Sequence, residues 1–478
     1  MNHQGNEAIQ AGLCIVGAGA GGLSLAAVAA QLGIKVVLVE RHKMGGDCLN
    51  TGCVPSKALL AAAKHAWATI HQSKFGCIVE KASINFSQVM AHVHGAIAEI
   101  APHDSVERFE GLGCRVILGH GRFIDPHQLA VDDKYVIKAR QFVIATGSSP
   151  MCPPIEGLNN INYFTNETIF NLQRLPKHLI IIGAGVIGCE LGQAFAMLGA
   201  KVTLIARSTI LPKEDPQAVA LLRDAFKQLQ IRLVENTQVQ SVAELAERVA
   251  VVVNSENGEE IITGSHILVA TGRKPNCEGL DLAKADIELV DNAIKVDMRL
   301  RTSQKHICAI GDVIAQQQFT HVANYHAGIL IKNLLFRLPA KVQTYFIPKV
   351  IYTSPEIAHV GLTQLDAEQQ SIMVVVKTLS YQQNDRAVAE GMTDGFVKII
   401  ADRKNRVLGV TIVGGQAGEL INIWGMAVRK KMSLKQLTDN IVAYPTLSEL
   451  NKRAAGLFYQ DALFSNKTKK LVRWLTKC

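Results

Sequence analysis

LCIVGAGAGGLSLAAVAAQLGIKVVLVE, residues 13–40, has the pattern of a strand, a glycine turn, a helix and a second strand. The turn places glycines at Gly17, Gly19 and Gly22, and the second strand ends at Glu40. The glycines permit a tight turn and let the backbone approach a pyrophosphate, while the helix N-terminus supplies free N–H groups and a positive dipole. An acid after the second strand accepts hydrogen bonds from a ribose. The stretch therefore predicts a dinucleotide-binding βαβ unit.

The same pattern recurs in LIIIGAGVIGCELGQAFAMLGAKVTLIAR, residues 179–207, with glycines at Gly183, Gly185 and Gly188. Two copies in one chain imply two bound nucleotides, or a duplication whose second copy is only structural. Because the second glycine turn is intact, we predict an α/β fold with two Rossmann-like dinucleotide-binding domains.

The two copies differ at the acid. Glu40 lies 23 residues beyond Gly17, and the equivalent residue of the second copy is Ala206, which Arg207 follows. A carboxylate there repels a 2′-phosphate, whereas an arginine pairs with it bidentately, and Lys213 adds a second positive charge. The first site therefore suits FAD, and the second suits NADPH over NADH. The alternative is that Arg207 is an ordinary surface arginine.

The composition is that of a folded, soluble protein. Of the 478 residues, 48% are hydrophobic and 19% charged, and the apolar runs are too short to span a bilayer. The start, MNHQGNEAIQ, has no basic segment and is a poor signal peptide. Ten scattered cysteines argue against a secreted disulfide scaffold, so we predict a cytoplasmic protein. A net charge of +9, spread over the chain, predicts a solvated basic surface and no nucleic-acid partner.

One concentrated basic patch occurs at residues 466–478, NKTKKLVRWLTKC, where Leu471, Val472, Trp474 and Leu475 are interleaved with the cations. Such a segment can make a weak contact with a membrane surface or with an acidic partner. The alternative is an ordinary terminal helix with an exposed face.

Two cysteines, Cys48 and Cys53, lie in GGDCLNTGCVPSKALL at residues 45–60. A metal needs more ligands than two thiolates, and the only histidine nearby is His42. Pro55 belongs in the first turn of the helix that follows, so Cys53 lies at or just before a helix N-terminus, which lowers the pKa of its thiol. Cys48 is expected in a flexible, glycine-flanked loop. We therefore predict a reversible redox disulfide and no metal site.

The segment GGDCLNTGCVPSK resembles the active-site signature of the class I pyridine nucleotide–disulfide oxidoreductases, a family that includes dihydrolipoamide dehydrogenase, glutathione reductase and mercuric reductase. The resemblance runs through nearly the whole chain. It rests on four further segments: FVIATGSSP (142–150), ILVATGRKPN (267–276), ICAIGDV (307–313) and VIYTSPEIAHVGLT (350–363). It implies an FAD-bound homodimer with a C-terminal α+β dimerisation domain.

The resemblance also implies roles for single residues. Cys53 faces the flavin, and Cys48 is the interchange thiol. Lys57 lies near the flavin N5, paired with Glu190 of GCELG, where the pair tunes the flavin. Asp312 contacts the ribityl chain. The cofactor-binding set is Gly17, Gly19, Gly22, Glu40, Gly147, Asp312, Gly183, Gly185, Gly188, Arg207, Lys213 and Gly272.

One position departs from the family pattern. Disulfide reductases of this family carry a His-Pro pair near the C-terminus, with a glutamate a few residues on, and this histidine is the acid–base for the substrate dithiol. The segment IVAYPTLSEL (441–450) keeps Pro445 and Glu449. Tyr444 takes the place of the histidine, and no histidine follows His359. Tyrosine titrates near about pH 10 and is a poor base at neutral pH.

A tyrosine at this position resembles mercuric reductase, in which it helps to hold the metal ion. VTLIARSTILPKEDP (202–216) and RAVAEGMTDGFVKII (386–400) resemble the same subfamily. Soft cations such as Hg(II) suit thiolate ligands. Mercuric reductases also carry a vicinal cysteine pair near the C-terminus and an N-terminal Cys-x-x-Cys domain, whereas this sequence shows only Cys478 and no such domain.

We therefore predict an FAD-dependent enzyme that passes electrons from NADPH through FAD to the Cys48–Cys53 disulfide and on to a metal ion or a thiol or disulfide acceptor. One alternative is a dihydrolipoamide dehydrogenase. A second is a flavin-dependent NADPH:quinone reductase or oxidase that needs neither cysteine, and a third is a redox sensor without turnover. The predicted catalytic set is Cys48, Cys53, Lys57, Glu190, Tyr444 and Glu449.

Three domains are predicted along the chain. The FAD domain is split into residues 1–154 and 276–345. The NAD(P)H domain is inserted at residues 155–275, and the dimerisation domain covers residues 346–478.

Overall fold

The computed structural model describes residues 7–71, 75–76, 78–79, 83–246, 248–255 and 258–476. The chain forms two units: Met1–Thr209 with Leu233–Gln343, and Ile210–Arg232 with Thr344–Cys478. Within the described ranges, no helix is both long enough and apolar enough to cross a membrane. The finer division into three domains stays a prediction.

The described residues form 23 strands and 15 α-helices. The strands are β1 Glu7–Val16, β2 Val36–Glu40, β3 Cys114–Leu118, β4 Gly121–Asp125, β5 Gln128–Val131, β6 Tyr135–Ile144, β7 Ser148–Pro150, β8 His178–Ile182, β9 Lys201–Ile205, β10 Arg232–Val234, β11 Gln238–Leu245, β12 Arg248–Ser255, β13 Gly258–Gly264, β14 His266–Val269, β15 Arg273–Pro275, β16 Leu289–Val290, β17 Ala293–Ile294, β18 Ile307–Ala309, β19 Lys349–Ile351, β20 Glu356–Gly361, β21 Val375–Ser380, β22 Phe396–Ala401 and β23 Val407–Gly414. The α-helices are α1 Ala20–Gln31, α2 Gly46–Asn50, α3 Cys53–Ile70, α4 Phe86–Ile100, α5 Val106–Gly111, α6 Val186–Met197, α7 Pro216–Gln228, α8 Thr320–Leu330, α9 Gln364–Gln369, α10 Asp385–Ala389, α11 Ala417–Leu420, α12 Asn422–Lys430, α13 Leu434–Thr438, α14 Glu449–Leu463 and α15 Asn466–Thr476.

The largest sheet of the first unit has the strand order β3-β2-β1-β6-β5-β4, and β18 pairs with β6. Strand β1 runs parallel to β2 and β6, while β4, β5 and β6 pair antiparallel. Parallel strands covered on both faces read as continuous apolar runs, and Leu13, Cys14, Ile15 and Val16 of β1 are all buried. The first predicted βαβ unit, β1-α1-β2, is confirmed.

A second sheet of the first unit repeats this arrangement. Its order is β10-β9-β8-β14, and β8 runs parallel to both β9 and β14. Helix α6 connects β8 to β9, so the second predicted βαβ unit is also confirmed. An antiparallel meander, β11-β12-β13, shares a core with this sheet through Ile180, Ile182, Val251 and Ile262.

The second unit is built on an antiparallel sheet of order β19-β20-β23-β22-β21. Its core contains two fully buried aromatic side chains, Tyr381 and Trp424. The indole Nε1 of Trp424 donates to Oδ1 of Asn451 on α14 at 2.8 Å, which satisfies the buried polar atom and fixes this helix. The predicted α+β architecture of the C-terminal region is confirmed.

The segment Ile210–Arg232, which contains α7, also belongs to the second unit. Two ion pairs hold it there. Lys398 Nζ lies 2.6 Å from Asp215 Oδ2, with both side chains only 7% exposed. Lys349 Nζ lies 2.8 Å from Glu214 Oε1. Asp215 also accepts two backbone N–H bonds at the start of α7, so one carboxylate caps this helix and binds the buried lysine.

Candidate active site

The first glycine turn forms an open cradle at the start of α1. Gly17 has a φ of 109°, which favours glycine, and a Cβ on Gly22 would lie 2.0 Å from the Gly17 carbonyl oxygen. A Cβ on Gly19, in contrast, would meet no atom within 4 Å. Glu40 ends β2, and its carboxylate accepts the N–H of Ala18 in this turn at 2.7 Å. The backbone N–H groups of the helix start and one carboxylate therefore lie together, as a dinucleotide requires.

The second glycine turn has the same geometry. Gly183 has a φ of 111°, and a Cβ on Gly188 would lie 2.0 Å from the Gly183 carbonyl oxygen. A Cβ on Gly185 would again meet no atom within 4 Å, directly before α6 begins at Val186. The second turn is therefore as open to a ligand as the first.

The acid of the first copy has no equivalent in the second. Ala206 follows β9 and is buried, whereas Arg207 beside it is exposed. Lys213 is also exposed and lies in the second unit. The second copy therefore has no carboxylate at the position of Glu40, where a carboxylate would repel a 2′-phosphate bound next to Arg207.

The two strand–turn segments resembling family signatures pair with each other. Strands β7 and β15 run antiparallel, directly after Gly147 and Gly272, and both glycines have positive φ. The guanidinium of Arg273 on β15 donates from Nε to Ser148 Oγ at 2.8 Å and from NH2 to the Ser148 carbonyl at 2.7 Å. Ser148 Oγ donates in turn to Asp312 Oδ2 at 2.7 Å. Burial raises the pKa of Asp312, while Ser148 and Arg273 lower it.

Arg273 also reaches the cysteine segment. Its NH2 group lies 3.3 Å from Oδ2 of Asp47, the residue before Cys48. Oδ1 of Asp47 accepts the hydroxyl of Thr51 at 2.7 Å and the amide of Asn166 at 3.2 Å. The Arg273 side chain is only 12% exposed, so these contacts fix α2 against the strand–turn signatures.

The cysteine pair lies where two helices meet. Cys53 is the first residue of α3, and Pro55 is in its first turn, as predicted. Cys48 is not in a loop: it lies in the short helix α2, because Gly45 adopts a left-handed conformation and starts the helix there. Both cysteines are free thiols; Cys48 is half-buried and Cys53 exposed.

The two thiols have opposite protonation tendencies. The pKa of Cys53 is lowered to about 6, mainly by a hydrogen bond from Cys48 and also by Thr320 and the Lys57 cation, against the cost of burial. The same hydrogen bond, together with burial, raises the pKa of Cys48. Cys53 is therefore a thiolate at neutral pH, and Cys48 keeps its proton.

Lys57 lies on α3, four residues after Cys53. Its Nζ is 2.8 Å from Oε2 of Glu190 on α6, and the Glu190 side chain is only 4% exposed against 36% for Lys57. The predicted pair therefore forms, with its carboxylate buried and its cation close to the thiol pair. Cys48, Cys53, Lys57 and Glu190 are thus brought together in the first unit.

Tyr444 and Glu449 lie in the second unit. The Tyr444 side chain is 70% exposed, and its hydroxyl donates to Oδ2 of Asp385 at 3.2 Å. This bond to Asp385 raises the pKa of Tyr444, because it stabilises the protonated phenol. Glu449 is the first residue of α14. Cys478 lies outside the described residues.

Several site residues were missed by sequence reasoning. Thr320 begins α8 and contacts Cys53, but a threonine at a helix start carries no sequence signal for a thiol 267 residues away. Asp47 and Arg273 lie in GGDC (45–48) and TGRKPN (271–276), two segments that carry the family resemblance, and membership of these motifs was the sequence signal for them. His326 on α8 is buried and accepts the Gly311 N–H at its Nδ1, and burial lowers its pKa to about 4.

Comparison with known proteins identifies the family. The pyridine nucleotide-disulphide oxidoreductase profile matches residues 12–327, which include both glycine turns and the cysteine pair. The profile of the dimerisation domain of the same family matches residues 347–455. The chain belongs to the pyridine nucleotide-disulphide oxidoreductases. Members of this family are FAD-dependent enzymes, so the predicted enzyme class and family resemblance are confirmed.

The relatives of this oxidoreductase carry several names. It is 35% identical to a mercuric reductase from Lysinibacillus sphaericus, over 94% of this chain and 83% of that protein. It is 34% identical to a dihydrolipoyl dehydrogenase from Chlamydia trachomatis, over 95% of this chain and 98% of that protein. A solved structure, the Cu(II) complex of the HOCl-induced flavoprotein disulfide reductase RclA from Escherichia coli, matches with a TM-score of 0.85 and 26% identity, over 94% of this chain and 99% of that one.

The first glycine turn of this oxidoreductase fits FAD. The space at Gly19 admits a pyrophosphate, and the carboxylate of Glu40 lies at the end of β2, where a ribose hydroxyl is recognised. Asp312 supplies a second, largely buried carboxylate, which hydroxyl groups of a sugar chain can satisfy. The residues that would hold FAD are therefore in place.

Proposed function

We propose that the chain is an FAD-dependent NADPH oxidoreductase, active as a homodimer, that reduces the Cys48–Cys53 disulfide and passes the electrons on to a soft metal ion or a thiol-linked acceptor. One observation carries the proposal: Cys53 starts α3 as a low-pKa thiol hydrogen-bonded by Cys48, in the unit that also contains both open glycine turns. The relatives named mercuric reductase support a metal ion as the acceptor.

The two cysteines divide the chemistry of reduction between them. FAD, when bound, takes a hydride from the nicotinamide and supplies two electrons to the disulfide. Breaking the S–S bond with two electrons then requires only one proton at neutral pH. Cys48 takes that proton because its pKa is raised, and Cys53 stays a thiolate because its pKa is about 6. Lys57 stabilises this negative charge, since its cation lowers the pKa of Cys53.

The preference for NADPH is part of the proposal. Arg207 is exposed two residues after β9 ends, next to Ala206, which takes the place of Glu40. An arginine at the end of this strand binds a 2′-phosphate through two hydrogen bonds. The role predicted for Lys213, which lies in the second unit, stays a prediction. NADH, which has a free 2′-hydroxyl, gains nothing from Arg207.

Tyr444 supports a metal ion as the acceptor. A dithiol substrate needs a group that takes up and returns protons near neutral pH. Tyr444 donates to Asp385, and its raised pKa keeps it protonated. Reduction of a soft cation such as Hg(II) by NADPH yields the metal, NADP⁺ and one proton, so no proton has to be delivered to the acceptor. Thiolates are also the ligands that soft cations prefer.

The decisive experiment is anaerobic NADPH oxidation by the purified flavoprotein, with Hg(II) in excess thiol or with oxidised lipoamide. Turnover with Hg(II) and little with lipoamide is the expected result. Fast lipoamide turnover would refute the role given to Tyr444. A C48S/C53S double variant separates the disulfide route from the quinone reductase or oxidase alternative: unchanged NADPH oxidation with a quinone or oxygen would favour a flavin reductase or oxidase.

A second candidate is dihydrolipoamide dehydrogenase, which the match to the Chlamydia trachomatis protein favours. It is tested by Tyr444→His, which restores the family's acid–base group. If the missing base is what limits lipoamide reduction, this variant gains on the order of a hundredfold in lipoamide turnover. Tyr444→Phe is the matched control and gains none.

The cytoplasmic location stays a prediction.

A further inference from the structure

The C-terminal helix lies beyond the match to the dimerisation domain. The dimerisation-domain match ends at residue 455, and α15 covers Asn466–Thr476. Helix α15 starts as a helix of its own: Ser465 Oγ accepts the N–H of Thr468 at 3.2 Å, and the Thr468 hydroxyl donates to the Ala462 carbonyl at 2.8 Å. None of the residues in α15 is buried. The helix is therefore ordered by its own cap rather than by the core.

The residues of α15 separate into two faces. Thr468, Leu471, Val472 and Leu475 follow the spacing i, i+3, i+4, i+7, which places them on one stripe of the helix. Lys469, Lys470 and Arg473 lie on the opposite side. This separation is what an interfacial helix requires: an apolar stripe to enter lipid and a basic face to stay in water.

The apolar stripe has no cover among the described residues. Exposed fractions are 53% for Leu471, 49% for Val472 and 63% for Leu475. Leu463 and Phe464, just before the helix, are 58% and 63% exposed. A contiguous group of large apolar side chains at the surface marks a binding site rather than scattered exposure.

The charge of α15 indicates which kind of surface binds its apolar stripe. Helix α15 contains four cations and no acidic residue: Lys467, Lys469, Lys470 and Arg473. In the whole chain, by comparison, 50 basic residues are nearly balanced by 41 acidic ones. A second copy of the same helix would bring like charges together. An anionic lipid surface satisfies both faces at once, because its headgroups attract the cations and its acyl chains accept the stripe.

We infer that α15 docks this enzyme on an anionic phospholipid surface, lying in the plane of the interface. Trp474 is 75% exposed and flanks the stripe, at the depth where indole rings with one apolar and one polar edge reside. The helix has only 11 residues, so the contact is reversible and weakens as salt screens the lysines. The inference does not depend on which acceptor the enzyme uses.

Cosedimentation of the 478-residue flavoprotein with vesicles tests the inference. Binding to phosphatidylcholine vesicles that contain phosphatidylglycerol is expected, with little binding to pure phosphatidylcholine and release at high salt. Equal binding to both vesicle types would overturn the inference, because the cations would then contribute nothing. Loss of self-association on deletion of residues 466–478, without vesicle binding, would overturn it in favour of a second copy as the occupant.

Two matched variants locate the contact. K469E/R473E reverses the charge of the basic face and should weaken vesicle binding by a factor on the order of a hundred or more. K404E/K435E makes the same charge change at two exposed lysines elsewhere in the second unit and should leave binding largely intact. Equal losses in both variants would show that net charge, not α15, is responsible. All variants should keep bound FAD and NADPH oxidation with a soluble dye, which confirms folding.

Depth is measured independently with brominated phospholipids, which quench tryptophan fluorescence in the membrane. Trp474 is one of three tryptophans in the chain, and Trp424 is fully buried in the second unit. Quenching should disappear in W474F while vesicle binding is retained, since phenylalanine keeps the apolar contact. Quenching that persists in W474F would place another surface on the membrane and overturn the inference.

Discussion

The sulfur of Cys53 lies 3.3 Å from the hydroxyl oxygen of Thr320, although 267 residues separate them in the chain. Each residue is the first of its helix, α3 and α8. Two helix N-termini, each with free N–H groups and a positive dipole end, therefore meet at one sulfur atom. Together with the hydrogen bond from Cys48, this convergence gives the thiol a physical reason to ionise.

Thr320→Val should raise the pKa of Cys53, because valine has the same shape but no hydroxyl to donate to a thiolate. In the reduced wild-type protein the Cys53 thiolate is present above about pH 6 and is lost as the pH falls through that value. In T320V this loss moves to higher pH, towards the value of about 8.5 of a free thiol. Ultraviolet thiolate absorbance of the reduced protein measures it, with C53S subtracted as background. T320S should titrate like the wild type, and identical curves for T320V and T320S would contradict the prediction.

Much of this site follows from local sequence, and the rest does not. The glycine turn from Gly17 to Gly22 and the helix start at Cys53 were predictable because each depends on neighbours within one or two turns of chain. Thr320 was not, because its role comes from the packing of a distant helix. Cys48 was placed in a loop because flanking glycines suggest flexibility, whereas the left-handed Gly45 in fact starts helix α2.

The contrast between local sequence and distant packing also explains where strand β1 begins. The apolar run beginning at Leu13 predicted a short strand, but β1 begins at Glu7. Its first residues alternate between exposed and buried side chains and pair with β6 near Tyr135. Only the partner strand explains this extension, because Ile9 is the one β-branched residue among residues 7–12 and the segment carries no strand pattern strong enough to be read alone.

Lys57→Met should slow reduction of the disulfide and raise the pKa of Cys53. Methionine keeps the length of the side chain but removes the cation that stabilises the thiolate. It also leaves the carboxylate of Glu190, 4% exposed, without its lysine. We expect a loss on the order of tenfold to a hundredfold in the rate at which NADPH generates the long-wavelength thiolate–flavin absorbance, measured by stopped flow.

Glu190→Gln is the variant to compare with Lys57→Met, since it keeps the Lys57 cation and removes only the buried charge. In E190Q the pKa of Cys53 should stay low. If E190Q and K57M raise the pKa of Cys53 alike, the buried carboxylate rather than the cation controls the thiol, and the assignment of Lys57 is wrong.

Arg207→Glu should weaken NADPH selectively. A charge-assisted bidentate pair contributes about 1.5–3 kcal/mol, so KM for NADPH should rise by a factor on the order of ten to a hundred, while KM for NADH stays within a few-fold. Steady-state kinetics with both nucleotides measure the ratio. Arg174→Glu makes the same charge change at another exposed arginine of the first unit and should alter neither. Equal losses for NADH and NADPH in R207E would contradict a 2′-phosphate site.

Asp215→Asn should destabilise the second unit strongly. Asparagine caps a helix about as well as aspartate, so the variant keeps the cap of α7 and removes only the charge that pairs with Lys398. Leaving a buried lysine unpaired costs about 3–5 kcal/mol in free energy of unfolding. Lys398→Met in the same background should recover part of this loss, since both charges are then gone.

Denaturant unfolding followed by the fluorescence of the buried Trp424 reports on this unit. The matched control is Lys377→Met, which breaks the exposed pair with Asp461 and should cost less than about 1 kcal/mol. A cost for D215N no larger than that of K377M would show that the Asp215–Lys398 pair is solvated and contributes little.

Arg273→Met should uncouple the cysteine segment from the strand–turn signatures. The guanidinium binds Ser148 through two hydrogen bonds and lies 3.3 Å from Asp47, beside Cys48. Without it, only the hydrogen bond from Ser148 opposes the effects of burial and of the Asp47 charge on Asp312, whose pKa should rise further. We expect weaker FAD retention and a turnover lower by a factor on the order of ten or more, because hydrogen bonds to charged groups contribute about 1.5–3 kcal/mol each.

R273K should be intermediate, since lysine keeps the charge but lacks the planar fork. Ser148→Ala is the control: it removes one bond to Arg273 and the bond to Asp312 but keeps the pair of Arg273 with Asp47. FAD release on dilution, followed by flavin fluorescence, and kcat measured separately distinguish cofactor binding from positioning of the thiols. If R273M and S148A behave alike in both measurements, the contact with Asp47 has no part in positioning Cys48.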